Sequence, residues 1–204
     1  MVASKSKDVA FTMMLAGTGI PGDELLLLQQ QAIAKASGVK EQLINQNAAI
    51  NAKAFEIVKK AIANEQMKSE LTSYLKQTLA TQVNSDDSAK LDDQIAIQVN
   101  QLASPWMRYF IKYNPALALE KVKCLVLALN GSKDLQVPAK ENLAAIQKAL
   151  AKGGNKKATT RELPSLNHLF QECKTGLPNE YGTIEQTFSP VALNEILSWF
   201  KGHL

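Results

Sequence analysis

The sequence has few of the residues that build covalent or metal-held frameworks. It contains two cysteines and two histidines in 204 residues. Cys124 lies inside an apolar run and Cys173 in a segment without regular pattern, so we expect neither a disulfide framework nor a cysteine-based metal site. His168 has no second histidine or cysteine at a ligand spacing, so we predict no bound metal. No cofactor is predicted either.

Long apolar runs and an excess of one charge are also missing. No stretch reaches the roughly 18 apolar residues that cross a bilayer, and the first residues lack a hydrophobic signal region. The net charge of +4 comes from 23 basic and 19 acidic residues spread along the chain. Basic stripes with interleaved aromatic residues are absent. We therefore expect no membrane and no nucleic-acid partner, and the compartment stays open.

What the sequence does contain is typical of a globular α/β protein: 46% hydrophobic and 21% charged residues. Two apolar runs, at residues 9–15 and 122–131, and a more polar one at 157–163 predict three strands. The segment "PAKENLAAIQKALAKGG" between the second and third runs has helical spacing and a Gly-Gly stop, which predicts a parallel strand–helix–strand unit. A last helix is expected to start at Pro190, with Ser189 as its N-cap.

The chain between the first and second strands is predicted to be helical. From about residue 23 to 103 apolar residues recur at helical intervals. Helix breaks are expected near Gly38 and at residues 84–88. We therefore predict a core strand and turn at 1–22, a helical insertion at 23–113 and a C-terminal α/β core at 114–204. The three expected inner faces of the helical block are Ile44, Ala48, Phe55, Val58 and Ile62; Met67, Leu71, Tyr74 and Leu75; Leu91, Ile95, Val99 and Leu102.

The stretch "LAGTGIPGDE" contains a literal G-x-G-x-x-G, formed by Gly17, Gly19 and Gly22. In a dinucleotide-binding unit this motif must be followed by one helix and a second parallel strand within about 30 residues. Here about eighty residues of helical pattern follow the motif instead. We therefore interpret it as a strand-ending turn that glycine makes flexible and Pro21 stiffens.

Asp134 and His168 are the candidates for chemistry. Asp134 follows the second strand and His168 follows the third, so both are expected at the carboxyl edge of the sheet, where ligands bind in open α/β folds. A carboxylate there would orient the imidazole, whose other ring nitrogen would then act as a base. Taken alone, Asp134 is better explained as a turn residue after Asn130-Gly131-Ser132. The joint placement favours the functional interpretation.

Three segments of the sequence resemble the α/β-hydrolase superfamily. They are "LVLALNGSKDLQVP", "NHLFQ" and the opening "KDVAFTMMLAGTGIPGDELLLLQQ". The similarity is greatest to bacterial serine hydrolases of the esterase and serine-aminopeptidase type. It implies that Asp134 is the triad acid, His168 the triad base, and the helical insertion a lid over the C-terminal part of the hydrolase sheet. The substrates implied are small-molecule or peptide esters and amides. The residues expected to line the mouth are Thr18, Ile20, Trp106, Met107 and Phe110, although Trp106 and Phe110 taken alone are better explained as core residues.

The sequence departs from that family in one respect, because it has no G-x-S-x-G nucleophile elbow. We expect it to begin just downstream of the elbow, either as the C-terminal portion of a longer hydrolase or as a remnant without catalysis. It would then be inactive alone. The rival hypothesis is a non-catalytic helical binding or assembly module, which saturable binding without turnover would favour. Because the strand at residues 9–15 would lack its usual neighbour, we also expect a homo-oligomer formed through that edge.

Overall fold

The protein has an α/β fold with a three-stranded, all-parallel sheet, as the sequence predicts. In the computed structural model, residues 2–79 and 88–203 are described. The strands are β1 (Phe11–Leu15), β2 (Leu125–Gly131) and β3 (Ala158–Leu163), in the spatial order β1-β2-β3. In the register of the sheet Phe11 pairs with Leu125, and Val126 with Ala158. Strand β2 is therefore central.

Among the described residues, six helices lie between β1 and β2. They are α1 (Gly22–Ala36), α2 (Glu41–Lys60), α3 (Asn64–Leu79), α4 (Ser88–Ala103), α5 (Pro105–Lys112) and α6 (Ala116–Leu119). Helix α7 (Ala139–Lys152) joins β2 to β3, and a 3-10 helix (Pro178–Thr183) precedes α8 (Pro190–His203). The predicted break near Gly38 falls between α1 and α2, whereas the break at 84–88 falls outside the described residues except for residue 88. None of the described helices is long and apolar enough to cross a membrane.

The chain forms two compact units. The sheet unit contains the residues up to Val39 and those from Asn114 onward, and the helical unit is Lys40–Tyr113. Helix α1, which the sequence pattern groups with the helical block, clusters with the sheet. In the described part of the chain β1 pairs with β2 alone, so it is an edge strand. Association of another chain with that edge stays a prediction.

Strand β2 carries the core of the sheet unit because both of its faces are buried. Leu127 and Leu129 point to one face and Val126 and Ala128 to the other, as the two-residue period of a strand requires. The first face packs with Leu163, Leu166, Phe170, Ala192 and Trp199. The second packs with Leu119, Val122, Ala139, Leu143, Ile146, Ala149 and Leu150. The uninterrupted apolar run in the sequence thus corresponds to a strand covered on both sides.

The helical unit has its own buried side chains at the expected spacing. Those under about a tenth exposed include Phe55, Val58, Met67, Leu71, Leu75, Ile95, Val99, Leu102 and Ile111. The assignment of Ile62 to the inner face of α2 was wrong, since its side chain is 94% exposed. Helix α2 ends at Lys60 and its C-cap Ala61 is extended, so the helical period does not carry on to residue 62.

The glycine motif after β1 serves packing against α7. The backbone N–H of Gly19 donates a hydrogen bond to the Oδ1 atom of Asn142, at 2.9 Å. A Cβ at residue 19 would lie 2.3 Å from the backbone oxygen of Asn142, so this approach requires glycine. Gly22 begins α1. The motif therefore lets the chain cross α7 closely, and one of its N–H groups is already used by that helix.

A second close approach, at Gly131, positions the segment that follows β3. Gly131 is the last residue of β2, and a Cβ there would lie 2.1 Å from the carbonyl oxygen of Leu166. The crossing is held by backbone hydrogen bonds from Ser132 to the carbonyl of Leu163, at 2.8 Å, and from Lys133 to that of Leu166, at 3.0 Å. The chain after β3 can fold over the end of β2 only because residue 131 has no side chain.

We expect Gly131→Ala to lower the free energy of unfolding by about 2 kcal/mol, since the new Cβ meets backbone that cannot move aside as a flexible side chain could. Gly182→Ala is the matched control, because a Cβ at residue 182 meets nothing within 4 Å. Its free energy of unfolding should change by less than about 0.5 kcal/mol. Urea unfolding of both variants measures the difference. Equal stability of the two variants would contradict the close approach.

Candidate active site

The candidate site is formed by two loops at the carboxyl edge of the sheet. The acid loop, residues 132–138, follows β2, and the histidine loop, residues 164–172, follows β3. Because the strands are parallel neighbours, both loops leave the sheet on the same side. Beyond the crossing at Gly131, the backbone N–H of Ser165 donates to the hydroxyl oxygen of Ser132, at 2.8 Å. Hydrogen bonds that involve neither Asp134 nor His168 thus join the two loops.

Asp134 is both a turn residue and the partner of the histidine. Its Oδ1 atom accepts hydrogen bonds from the backbone N–H groups of Gln136, at 2.9 Å, and Val137, at 2.8 Å. Its Oδ2 atom lies 2.9 Å from Nδ1 of His168. The side chain has no exposed surface. The turn therefore holds one carboxylate oxygen and directs the other toward the imidazole. Asp134 is thus a turn residue and the partner of His168 at the same time.

His168 reaches Asp134 with one ring nitrogen and leaves the other free to react. An ionised carboxylate only accepts hydrogen bonds, so the Nδ1 atom beside it carries the proton and Nε2 keeps its lone pair. The side chain is 29% exposed, whereas that of Asp134 is fully buried. This combination of a buried carboxylate and a partly exposed ring can take up a proton at Nε2 and stabilise the resulting imidazolium.

The histidine loop is held in a strained conformation around His168. Ser165 and Phe170 have left-handed backbone, with φ of 62° and 58°, which costs about 1 kcal/mol or more at residues other than glycine. Buried Asn167 stabilises this shape, because its Oδ1 atom accepts from the N–H groups of Leu169, at 2.9 Å, and Gln171, at 3.0 Å. Strain of this kind persists only where the surroundings over-determine it, and it is common at functional sites.

The segment that follows the histidine loop, residues 173–184, is here called the strap. The carboxylate of Glu180 closes it by accepting backbone N–H bonds from Lys174, at 2.9 Å, and from Thr175 and Gly176, at 3.0 Å each. The hydroxyl of Thr175 donates to the same carboxylate, at 2.7 Å. These bonds, that of the Thr175 hydroxyl first, lower the pKa of Glu180 to about 2. The strap is therefore organised around one ionised side chain.

Tyr181, in the strap, is a site residue that sequence reasoning missed. Its phenol oxygen accepts a hydrogen bond from Nε2 of Gln136, in the acid loop, at 3.1 Å. Burial is the main cause that raises the pKa of Tyr181, and the negative charge of Asp134 raises it further. The phenol therefore keeps its proton at neutral pH. No pattern in the sequence distinguishes this tyrosine, because the polar strap has no periodicity.

The five residues expected to line a substrate mouth fall in both units. In the sheet unit, the hydroxyl of Thr18 donates to the carbonyl of Ile20, at 3.0 Å, within the turn after β1. In the helical unit, Trp106 is 65% exposed and stacks on Phe110 with ring centres 5.1 Å apart. The backbone N–H of Met107 donates to the N-cap Ser104 of α5. Substrate contact by these residues stays a prediction.

The thiols and acidic groups offer no further ligand cluster in the part of the chain that is described. Cys124 and Cys173 are both free, and Cys124 lies with its sulfur 3.6 Å from the hydroxyl of Thr12. No three His, Cys, Asp or Glu side chains within residues 2–79 and 88–203 come together in a way that could hold a metal ion.

Comparison of the chain with protein-family models, with curated proteins and with solved structures gives no match in any of the three.

We expect Asp134→Asn to reverse the tautomer of His168. The amide oxygen of asparagine can still accept from Gln136 and Val137, so the turn is kept, while the amide NH2 faces Nδ1 and turns it into an acceptor. The proton then moves to Nε2, which can no longer act as a base. Long-range 1H–15N correlation spectra of the imidazole distinguish the two tautomers. A ring that stays protonated at Nδ1 in this variant would refute the assignment of Oδ2 as its partner.

We expect Glu180→Gln to destabilise the protein at pH 7, by an amount that shrinks as the pH falls toward 2. The folded-state pKa of Glu180, about 2, lies below its unfolded value, so ionised Glu180 stabilises the fold above about pH 4.5. That contribution is lost as the pH falls through the folded pKa. Urea unfolding of the wild type and the variant across this range measures the gap between them. Exposed Glu185→Gln serves as the control and should show no gap at any pH. A gap for Glu180→Gln that does not close with acid would contradict this account.

Proposed function

We propose that this chain supplies the acid and the base of a serine-hydrolase triad acting on ester or amide bonds. The observation that carries the proposal is the 2.9 Å contact between Oδ2 of Asp134 and Nδ1 of His168. It is supported by the full burial of the carboxylate beside a partly exposed ring. The order of acid and then histidine, on loops after successive parallel strands, is that of the α/β-hydrolase triad. In this proposal the sheet is the C-terminal part of a hydrolase sheet and the helical insertion is its lid.

The proposed reaction gives each of the two residues one task. As a serine hydroxyl attacks the carbonyl carbon, Nε2 of His168 takes the hydroxyl proton. The same nitrogen then returns the proton to the leaving alcohol or amine as the carbon–oxygen or carbon–nitrogen bond breaks. Asp134 keeps the ring in the required tautomer and stabilises the imidazolium, without taking the proton itself.

The serine and the oxyanion donors are the parts that this proposal places elsewhere. The 204 residues contain no G-x-S-x-G, the motif that in this fold presents the serine and one of the oxyanion N–H groups. We therefore propose that both come from sequence outside these residues. Without them, removing the proton from a nucleophile and stabilising the tetrahedral intermediate are not available to His168.

A second candidate function, binding without catalysis, is favoured by one feature of the helical unit. Helix α5 exposes a row of aromatic rings, with Trp106 65% and Tyr109 53% exposed. Trp106 stacks on Phe110, and Tyr109 on Tyr113 at 5.5 Å. Residues three and four apart lie on one face of a helix, so the rings form one partly exposed aromatic row that an apolar ligand can contact.

The experiment compares the 204-residue chain with a protein lengthened by the coding sequence that precedes residue 1. We expect the chain alone to be nearly inert toward p-nitrophenyl acetate and the longer protein to hydrolyse it. In the longer protein, His168→Ala should lower kcat by about a thousandfold or more, as expected for one member of an interdependent set. His203→Ala is the matched control and should leave kcat unchanged. The other histidine lies at the end of α8, with Nδ1 2.7 Å from the carbonyl of Trp199.

Three outcomes would decide against the triad. The first is preceding sequence that encodes no serine elbow. The second is turnover by the 204-residue chain that survives both His168→Ala and Asp134→Ala. The third is saturable binding of the ester without turnover in either protein, which would favour the binding function instead. Loss of that binding in Trp106→Ala would then locate the ligand on α5.

A further inference from the structure

The strap is joined to the acid loop at two points. At one, the ammonium group of Lys133 donates to the carbonyl oxygens of Cys173, at 3.0 Å, and Lys174, at 2.8 Å. At the other, the side chain of Gln136 donates to the phenol oxygen of Tyr181. Lys133 and Gln136 flank Asp134 closely in the sequence. The strap is therefore hydrogen-bonded to residues on both sides of Asp134 in the acid loop.

Gln136 connects Tyr181 to the carboxylate through a single residue. Its backbone N–H binds Oδ1 of Asp134, at 2.9 Å, and its side-chain amide binds the phenol, at 3.1 Å. Gln136 thus links the phenol to the carboxylate oxygen that the turn of the acid loop holds. Because the other oxygen of that carboxylate faces His168, the orientation of the carboxylate sets the contact between Asp134 and the ring.

Tyr181 can hold this link in its neutral form. A phenol oxygen accepts a hydrogen bond while its own proton is retained, so the bond from Gln136 does not require an ionised tyrosine. Burial raises the pKa of Tyr181, which keeps the phenol protonated.

We propose that Tyr181 is a positioning residue that, through Gln136, fixes the orientation of the Asp134 carboxylate and so maintains the bond from Nδ1 of His168 to Asp134. The role rests on the proposed function, because a fixed tautomer matters only if Nε2 acts as a base. Glu180 supports the role by closing the turn that presents its neighbour Tyr181. The strap is in this sense part of the site, although it contributes no group to the reaction.

The test is the tautomer of His168 in Tyr181→Phe, read from long-range 1H–15N correlation spectra of the 204-residue chain. Removing the phenol oxygen should raise the ratio of the Nε2–H to the Nδ1–H tautomer by about fivefold, the effect of one lost hydrogen bond. Gln136→Leu should raise it similarly. The double variant should add little to the larger single effect, because both substitutions break the same bond. Tyr113→Phe, which removes a phenol in the helical unit, is the matched control and should leave the ratio unchanged.

A tautomer ratio in Tyr181→Phe equal to that in Tyr113→Phe would overturn the proposal, even if the thermal midpoint fell, because a merely structural residue changes stability alone. The spectra need no turnover, so this result does not depend on whether the chain belongs to a hydrolase. If the esterase test fails while the tautomer shifts as expected, the positioning stands and the triad chemistry falls. If turnover in the lengthened protein is lost with His168→Ala while the tautomer is insensitive to Tyr181→Phe, the triad chemistry is supported and the positioning role of Tyr181 is rejected.

Discussion

The site depends on the passage of the histidine loop over the end of β2 at Gly131. A Cβ at that residue would lie 2.1 Å from the carbonyl oxygen of Leu166, so no other residue type permits the crossing without displacement of the backbone. The crossing brings residue 166 over the central strand, two positions before His168. The bond from Nδ1 to Oδ2 and the contacts of the strap all lie beyond this point. The contact between Asp134 and His168 thus depends on the absence of a side chain at residue 131.

Buried asparagines stabilise the turns around the sheet, where apolar packing does not fix the backbone conformation. Asn142 binds the turn after β1, Asn155 binds the carbonyls of Val122 and Cys124 before β2, and Asn167 closes the histidine loop. Each has a side chain under a tenth exposed. A side-chain amide can donate and accept at once, so it satisfies buried backbone groups that would otherwise be costly. Rigid turns then let a carboxylate and an imidazole meet at a defined distance.

Asp134 illustrates how one buried group is shared between two contacts. Its carboxylate uses one oxygen for its own turn and the other for His168. Gln136 is shared in the same way, since its backbone N–H binds that carboxylate and its side chain binds the phenol of Tyr181. Such sharing lets a few buried polar groups satisfy several hydrogen bonds.

The strands, α7, α8 and the proximity of Asp134 to His168 could be predicted from the sequence, because each depends on local periodicity or on strand order. Ser189 illustrates this, since its hydroxyl oxygen accepts from the N–H of Val191 as an N-cap does. The exposure of Ile62, the grouping of α1 with the sheet and the bond between Gln136 and Tyr181 could not be predicted. Gln136 and Tyr181 are 45 residues apart and share no pattern, so only the folded chain brings them together. The sequence by itself determined which residues could form strands, helices and an acid–base pair, because those properties follow from local order along the chain. The tertiary structure alone decided which polar groups hold that pair in place, because contacts between distant loops depend on how closely backbones can approach.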